Sequence, residues 1–78
     1  MEQNELQRAI EAILFAAGER VEISRLCAVL ESDEADVVSA ADDLANTLAF
    51  ERRGIRIVKL DNGYQMVSSG EMADFVTK

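Results

Sequence analysis

The sequence contains no histidine, no proline and a single cysteine, Cys27. One cysteine cannot close an internal disulfide, and without a histidine its thiol has no imidazole base to activate it. The spacing of the neighbouring apolar residues places Cys27 on the inward side of a helix, so we interpret it as a core residue. We expect no catalytic site, no bound metal, no cofactor and no enzymatic activity.

Long apolar runs are also missing. No stretch approaches the roughly 18 to 20 apolar residues that a transmembrane helix needs, and no charged segment followed by an apolar one marks a signal peptide. These absences favour a cytoplasmic protein without membrane contact. A chain of 78 residues buries too little surface to enclose a deep cavity, so we expect no small-molecule substrate.

Basic residues are scarce, because eight lysines and arginines stand against fifteen aspartates and glutamates, giving a net charge of −7. A charge of this sign repels the phosphates of nucleic acid. Nonspecific DNA binding is therefore disfavoured. The apolar fraction of 49% and the charged fraction of 29% are normal for a folded globular domain.

Apolar residues recur at helical spacing in four stretches. A capping-box pattern at Asn4 and a left-handed stop at Gly18 bound the first helix, and Ser32 or Asp33 caps the third. Phe15 lies off the buried stripe of the first helix, beside small alanines, so this second side can admit another helix from this chain or a partner. The predicted helices cover residues 5–17, 23–30, 34–51 and 71–76.

One stretch, Ile55 to Ser69, has β character and contains Asn62-Gly63, a pair typical of a type I′ turn. With that turn, Val58 lies opposite Val67, and both faces of the hairpin carry apolar side chains. Val21 is a candidate third strand. A domain this small is not expected to cover both faces, so some apolar surface should remain for a partner. The candidate interface residues are Phe15, Ile55, Ile57, Tyr64 and Met66.

The alternative for these hairpin residues is that their face is simply the core face, covered by the first or third helix. Three helices followed by a hairpin are the order of a mostly helical α+β winged helix domain. Such domains commonly place the third helix in the DNA major groove. Here residues 33–51, which comprise that helix and its cap, contain six acids and no lysine or arginine, which argues against it. A transcriptional regulator that grips DNA with its basic wing remains the alternative function, with candidate phosphate contacts Arg52, Arg53, Arg56 and Lys59.

Two runs resemble a known family. The run from Ala9 to Leu30, AIEAILFAAGERVEISRLCAVL, is similar to the opening of the bacterial segregation and condensation protein B (ScpB) family. The run from Gly54 to Ser69, GIRIVKLDNGYQMVSS, resembles the wing of that family, with Gly63-Tyr64-Gln65 matching. Arg20 departs from the pattern, since the family usually has a proline there, and Glu22 stands where a serine cap is expected.

The resemblance implies a non-enzymatic subunit of the condensin-like SMC complex, acting in chromosome condensation and segregation during cell division. It implies a homodimer that binds the kleisin subunit ScpA and, through it, the SMC ATPase, and thereby associates with the nucleoid in the cytoplasm. Direct DNA binding is not expected. Since the family typically carries two winged helix domains, residues 1–78 would form a single domain, the N-terminal half of a two-domain protein.

Overall fold

A computed structural model describes residues 2–51 and 54–68. The strands form an antiparallel sheet of order β1-β3-β2, in which α1 contacts β3, α2 contacts β1 and α3 contacts β2. The α+β winged helix prediction is confirmed, including the third strand at Val21. The predicted helix at 71–76 lies outside the described residues. The elements are α1 (Gln3–Ala17), β1 (Val21–Glu22), α2 (Ile23–Leu30), α3 (Glu34–Phe50), β2 (Ile55–Leu60) and β3 (Gly63–Ser68).

The N-termini of α1 and α3 lack the side-chain caps that were predicted for them. The N-cap of α1 is Glu2 rather than Asn4, and neither Glu2 nor Asp33, the N-cap of α3, caps its helix through a side chain. The Ser32 hydroxyl instead donates to the carbonyl of Leu30, at 3.0 Å. Gly18 ends α1 as predicted, because its φ of 66° lets its N–H reach the carbonyl of Leu14.

The predicted hairpin turn is wrong by one residue. Asp61 and Asn62 form the turn. Of the two, only Asp61 has a positive φ, of 55°, whereas a type I′ turn needs a positive φ at both central residues. Val58 consequently pairs with Gln65 rather than with Val67. The pairing moves by two residues along β3, and because side chains alternate with a period of two, each one keeps its predicted face.

The displaced turn has a cause in the third strand. Gly63 lies in β3 opposite Glu22 of β1, where a Cβ atom would stand only 2.7 Å from the carbonyl oxygen of Val21. The carbonyl of Asn62 accepts the N–H of Ile23, at 2.7 Å. The glycine is therefore used for close approach of two strands, and the turn supplies the partner for the first amide of α2.

The core lies between the helices and the hairpin face that carries Ile57 and Tyr64. Tyr64 is the largest of its fully buried side chains. On the opposite face Val58 and Val67 are buried too, contrary to the expectation that one face stays open. Each valine lies directly opposite a half-buried side chain, Gln65 or Arg56, whose aliphatic stem can shield an apolar neighbour. The helical part of the core consists of Leu6, Ile10, Leu14, Ile23, Leu26, Leu30, Val37, Ala40, Ala41, Leu44 and Leu48.

The first prediction concerns Gly63. We expect Gly63→Ala to lower the free energy of unfolding by about 1 to 3 kcal/mol, because the added methyl group must push β1 and β3 apart. Gly54→Ala is the matched control, since a Cβ atom there meets nothing within 4 Å. It should be neutral or slightly stabilising. Urea unfolding followed by circular dichroism measures both, and equal effects would contradict the close-approach argument.

Candidate protein interface

Four large apolar side chains are exposed on the described part of the chain. Phe15 is 72% exposed, Phe50 89%, Val29 59% and Ile55 38%. Phe15 and Ile55 were predicted as interface residues. Phe50 and Val29 were not predicted. Neither falls on the buried stripe of its helix, and this position in the sequence indicates exposure.

Phe15, Ile55 and Met66 come together between α1 and the open end of the hairpin. They line two adjoining shallow grooves of about 230 and 210 Å³. Four α1 residues line the first groove at the spacing i, i+3, i+4, i+7, which makes them one stripe of the helix. The stripe consists of Arg8, Glu11, Ala12 and Phe15. We call this stripe together with Ile55 and Met66 the Phe15 surface.

The Phe15 surface is where the core face of the hairpin reaches the outside. Along that face, Tyr64 is 1% exposed and Ile57 7%, Met66 is half-buried and Ile55 is 38% exposed. Ile57 and Tyr64 are thus core side chains in the single chain, as the alternative held, and they cannot touch a partner without local opening. Phe15, Ile55 and Met66 are the predicted interface residues that a partner can reach.

Tyr64 has a polar contact as well as a packing role. Its hydroxyl donates to the Asp42 carboxylate of α3 at 2.9 Å, and the ammonium of Lys59 lies 5.8 Å from the centre of its ring, a cation–π distance. Burial, followed by the hydrogen bond to Asp42 and the negative charge of that carboxylate, raises the pKa of Tyr64. The ring is therefore held in its neutral form, tying β3 to α3.

The basic residues of the alternative DNA-binding function are only partly described. Arg56 donates to the carbonyl of Ile55 at 3.0 Å and is half-buried, and Lys59 lies against the Tyr64 ring. Arg52 and Arg53 lie outside the described residues. On α3, the helix that would read DNA in the alternative function, Asp42 accepts from Tyr64 of β3. Asp43 accepts from Gln3 of α1 at 3.2 Å. Two acids of this helix therefore make contacts within the domain.

Other kinds of site find little support. Within residues 2–51 and 54–68, no group of histidine, cysteine, aspartate or glutamate side chains is placed to hold a metal ion. Cys27 is a free thiol, half-buried against the core. None of the described helices is both long and apolar enough to cross a membrane.

Comparison with known proteins identifies the family. The model of the family described as "Segregation and condensation complex subunit ScpB" matches residues 8–78. The chain belongs to the ScpB family. The curated relative from Lachnoclostridium phytofermentans, segregation and condensation protein B, is 35% identical over 78 residues, which are 100% of this chain and 41% of the relative. That from Alkaliphilus oremlandii is 31% identical, and the match spans 42% of its length. The chain thus spans less than half of these ScpB relatives.

Solved ScpB structures share the fold. A crystal structure described as a dimer of the ScpB N-terminal domain complexed with an ScpA peptide has a TM-score of 0.80 and 29% identity, covering 95% of this chain and 93% of that one. ScpB from Mycobacterium tuberculosis has a TM-score of 0.84 and 25% identity, covering 99% of this chain and 48% of that one.

The second prediction concerns the bond from Tyr64 to Asp42. We expect Tyr64→Phe to lower the free energy of unfolding at neutral pH by about 1 kcal/mol, because the hydrogen bond is lost while the ring stays packed. A raised pKa in the folded state gives stability that is complete below the unfolded value of about 10 and is lost as the pH rises above it. The difference between wild type and variant should therefore shrink in alkali.

Tyr64 is the only tyrosine in the chain, so the phenolate absorbance of the folded protein reports this residue alone. It should appear well above the ordinary titration range of tyrosine. Titration of the folded wild type at the ordinary value would contradict both the burial of this hydroxyl and its contact with Asp42.

Proposed function

We propose that this chain is the N-terminal winged helix domain of an ScpB-type subunit, and that it pairs with a second copy and binds ScpA. In this role it is a non-enzymatic scaffold of the SMC complex, with the kleisin ScpA linking it to the SMC ATPase and the nucleoid. Support comes from the relative crystallised as a dimer of the ScpB N-terminal domain with an ScpA peptide, which matches this fold over nearly its whole length.

The observation that carries self-association is the composition of the Phe15 surface. It holds an exposed aromatic side chain and the aliphatic Ile55 around the small Ala12, and small residues allow another helix to approach closely. It also holds charges of opposite sign, Arg8 and Glu11, on the same helical stripe. A twofold interface presents the same patch on both protomers. A patch with both signs can therefore pair Arg8 of one protomer with the Glu11 carboxylate of its partner.

A scaffold role is also supported by the shape of the surface. The grooves of the Phe15 surface are shallow and lined mainly by apolar side chains, whereas catalytic sites are concave pockets with convergent polar groups. A surface of this kind binds by burying apolar area between two chains, while charges at the rim fix their relative orientation.

The third prediction tests the proposed twofold surface. Phe15→Glu should weaken self-association at least about tenfold, because it places a charge at the centre of the buried apolar patch. Sedimentation equilibrium over a range of concentrations measures the dissociation constant. Because Phe15 is 72% exposed, the variant should keep its fold, which circular dichroism checks.

Phe50→Glu is the matched control, since Phe50 is 89% exposed and lines neither groove of the Phe15 surface. It should leave the dissociation constant unchanged. If Phe50→Glu dissociates the protein and Phe15→Glu does not, the dimer uses the end of α3 instead. A wild type that stays monomeric at every concentration would refute the self-association proposal itself.

The fourth prediction addresses the DNA-binding alternative. We infer that the protein binds duplex DNA no more tightly than DNA-binding proteins bind nonspecific sites. Such nonspecific binding has dissociation constants of about 10⁻⁴ to 10⁻⁶ M in physiological salt. The acids on α3 and the net charge of −7 oppose approach to phosphates. Fluorescence anisotropy with a labelled duplex at several salt concentrations measures this. Tight, salt-sensitive binding that Arg52→Glu plus Arg53→Glu abolishes would favour the regulator function.

A further inference from the structure

A separate groove of about 400 Å³ lies on the other side of α1. The C-terminal half of α1, the connector, β1 and α2 enclose it, and none of its lining residues belongs to the Phe15 surface. We call it the α1–α2 groove. Its volume falls within the range of protein sites that accept side chains or small ligands. Its apolar lining consists of Ile13, Ala16, Ala17, Val21 and Val29.

Small side chains and one exposed valine shape this groove. Ala16 and Ala17 leave space beside the end of α1, and Val29 stands on the facing side of α2, 59% exposed. Without a partner, the apolar area of Val29 stays in water, which is unfavourable. An inserted aliphatic side chain would cover Val29 and the alanines together.

The rim of this groove carries two basic side chains. Arg20 and Arg25 line it together with Glu19. Arg20 is weakly engaged, with one guanidinium nitrogen 3.7 Å from a carboxylate oxygen of Glu22. Arg25 makes no hydrogen bond or ion pair with any residue that the structure describes. A chain with a net charge of −7 thus presents an unengaged guanidinium beside an apolar recess.

We propose that the α1–α2 groove binds a peptide segment of ScpA that inserts an aliphatic side chain between α1 and α2 and places a carboxylate on Arg25. This inference rests on the proposed function, in which ScpA is the partner. Arginine suits the role because its planar guanidinium binds a carboxylate through two parallel hydrogen bonds. A second copy of the chain is assigned to the Phe15 surface, so both surfaces can be occupied together.

Position in the fold supports simultaneous use of the two surfaces. Phe15 and Ala16 are adjacent in α1, but they line different grooves, because consecutive helical residues project about 100° apart. The Phe15 surface lies toward β2 and β3, whereas the α1–α2 groove lies toward β1 and α2. A twofold dimer therefore presents two equivalent peptide grooves, one on each protomer.

Binding of ScpA to the whole protein tests the proposal, with isothermal titration calorimetry as the measurement and full-length ScpA as the probe. Arg25→Glu should weaken binding by about tenfold or more, since it sets two carboxylates against each other. Arg25→Lys should have a smaller effect because the charge is kept. Val29→Ser should weaken binding without changing its salt dependence, since it removes apolar contact only.

Lys59→Glu is the matched control, because it changes the net charge by the same amount at an exposed site outside the groove. It should bind ScpA as the wild type does, and all four variants should keep the wild-type self-association. If Arg25→Glu and Val29→Ser bind ScpA like the wild type, the groove assignment is wrong while the proposed function stands. If the wild type itself does not bind ScpA, the proposed partner and this inference fail together.

Discussion

Three consecutive residues, the last of the turn and the first two of β3, attach the hairpin to three different parts of the domain. The carbonyl of Asn62 accepts the first amide of α2, the backbone of Gly63 lies against the Val21 carbonyl of β1, and the hydroxyl of Tyr64 donates to Asp42 of α3. A two-stranded hairpin is marginal in water by itself. These contacts hold it in one position, and that position decides which of its faces packs against the helical core.

The same attachment explains why an apolar surface remains. The three contacts all lie at the turn end of the hairpin, where Tyr64 is buried, whereas Ile55 and Met66 lie toward its open end. The helical cover ends before that face does, so Ile55 is left beside the exposed Phe15 of α1. The Phe15 surface is thus the continuation of the core, and pairing with a second copy would extend the core across a twofold axis.

The parts of the fold that depend on local periodicity could be predicted from the sequence. The α2 limits, the Gly18 stop and the division of hairpin side chains into two faces follow from spacing and residue type, and they are confirmed. The turn could not be predicted in the same way, because an Asn-Gly pair favours a type I′ turn locally and only the nonlocal approach of Val21 requires the glycine inside β3. Burial of Ile57 and Tyr64 likewise depends on how far each helix extends over the sheet.

The distribution of charge on α3 disfavours DNA reading and agrees with the proposed role in protein contacts. In a DNA-reading winged helix, the exposed side of the third helix must carry donors for bases and phosphates. Here α3 uses two of its acids internally. Asp42 accepts from Tyr64 and joins α3 to the sheet, and Asp43 accepts from Gln3 and joins α3 to α1. Replacing them with basic residues would remove those acceptors and place cations where a tyrosine hydroxyl and an amide donate. The negative charge that disfavours a duplex is therefore partly tied to the contacts of α3, and the apolar surfaces on either side of α1 are the parts of the domain suited to recognition.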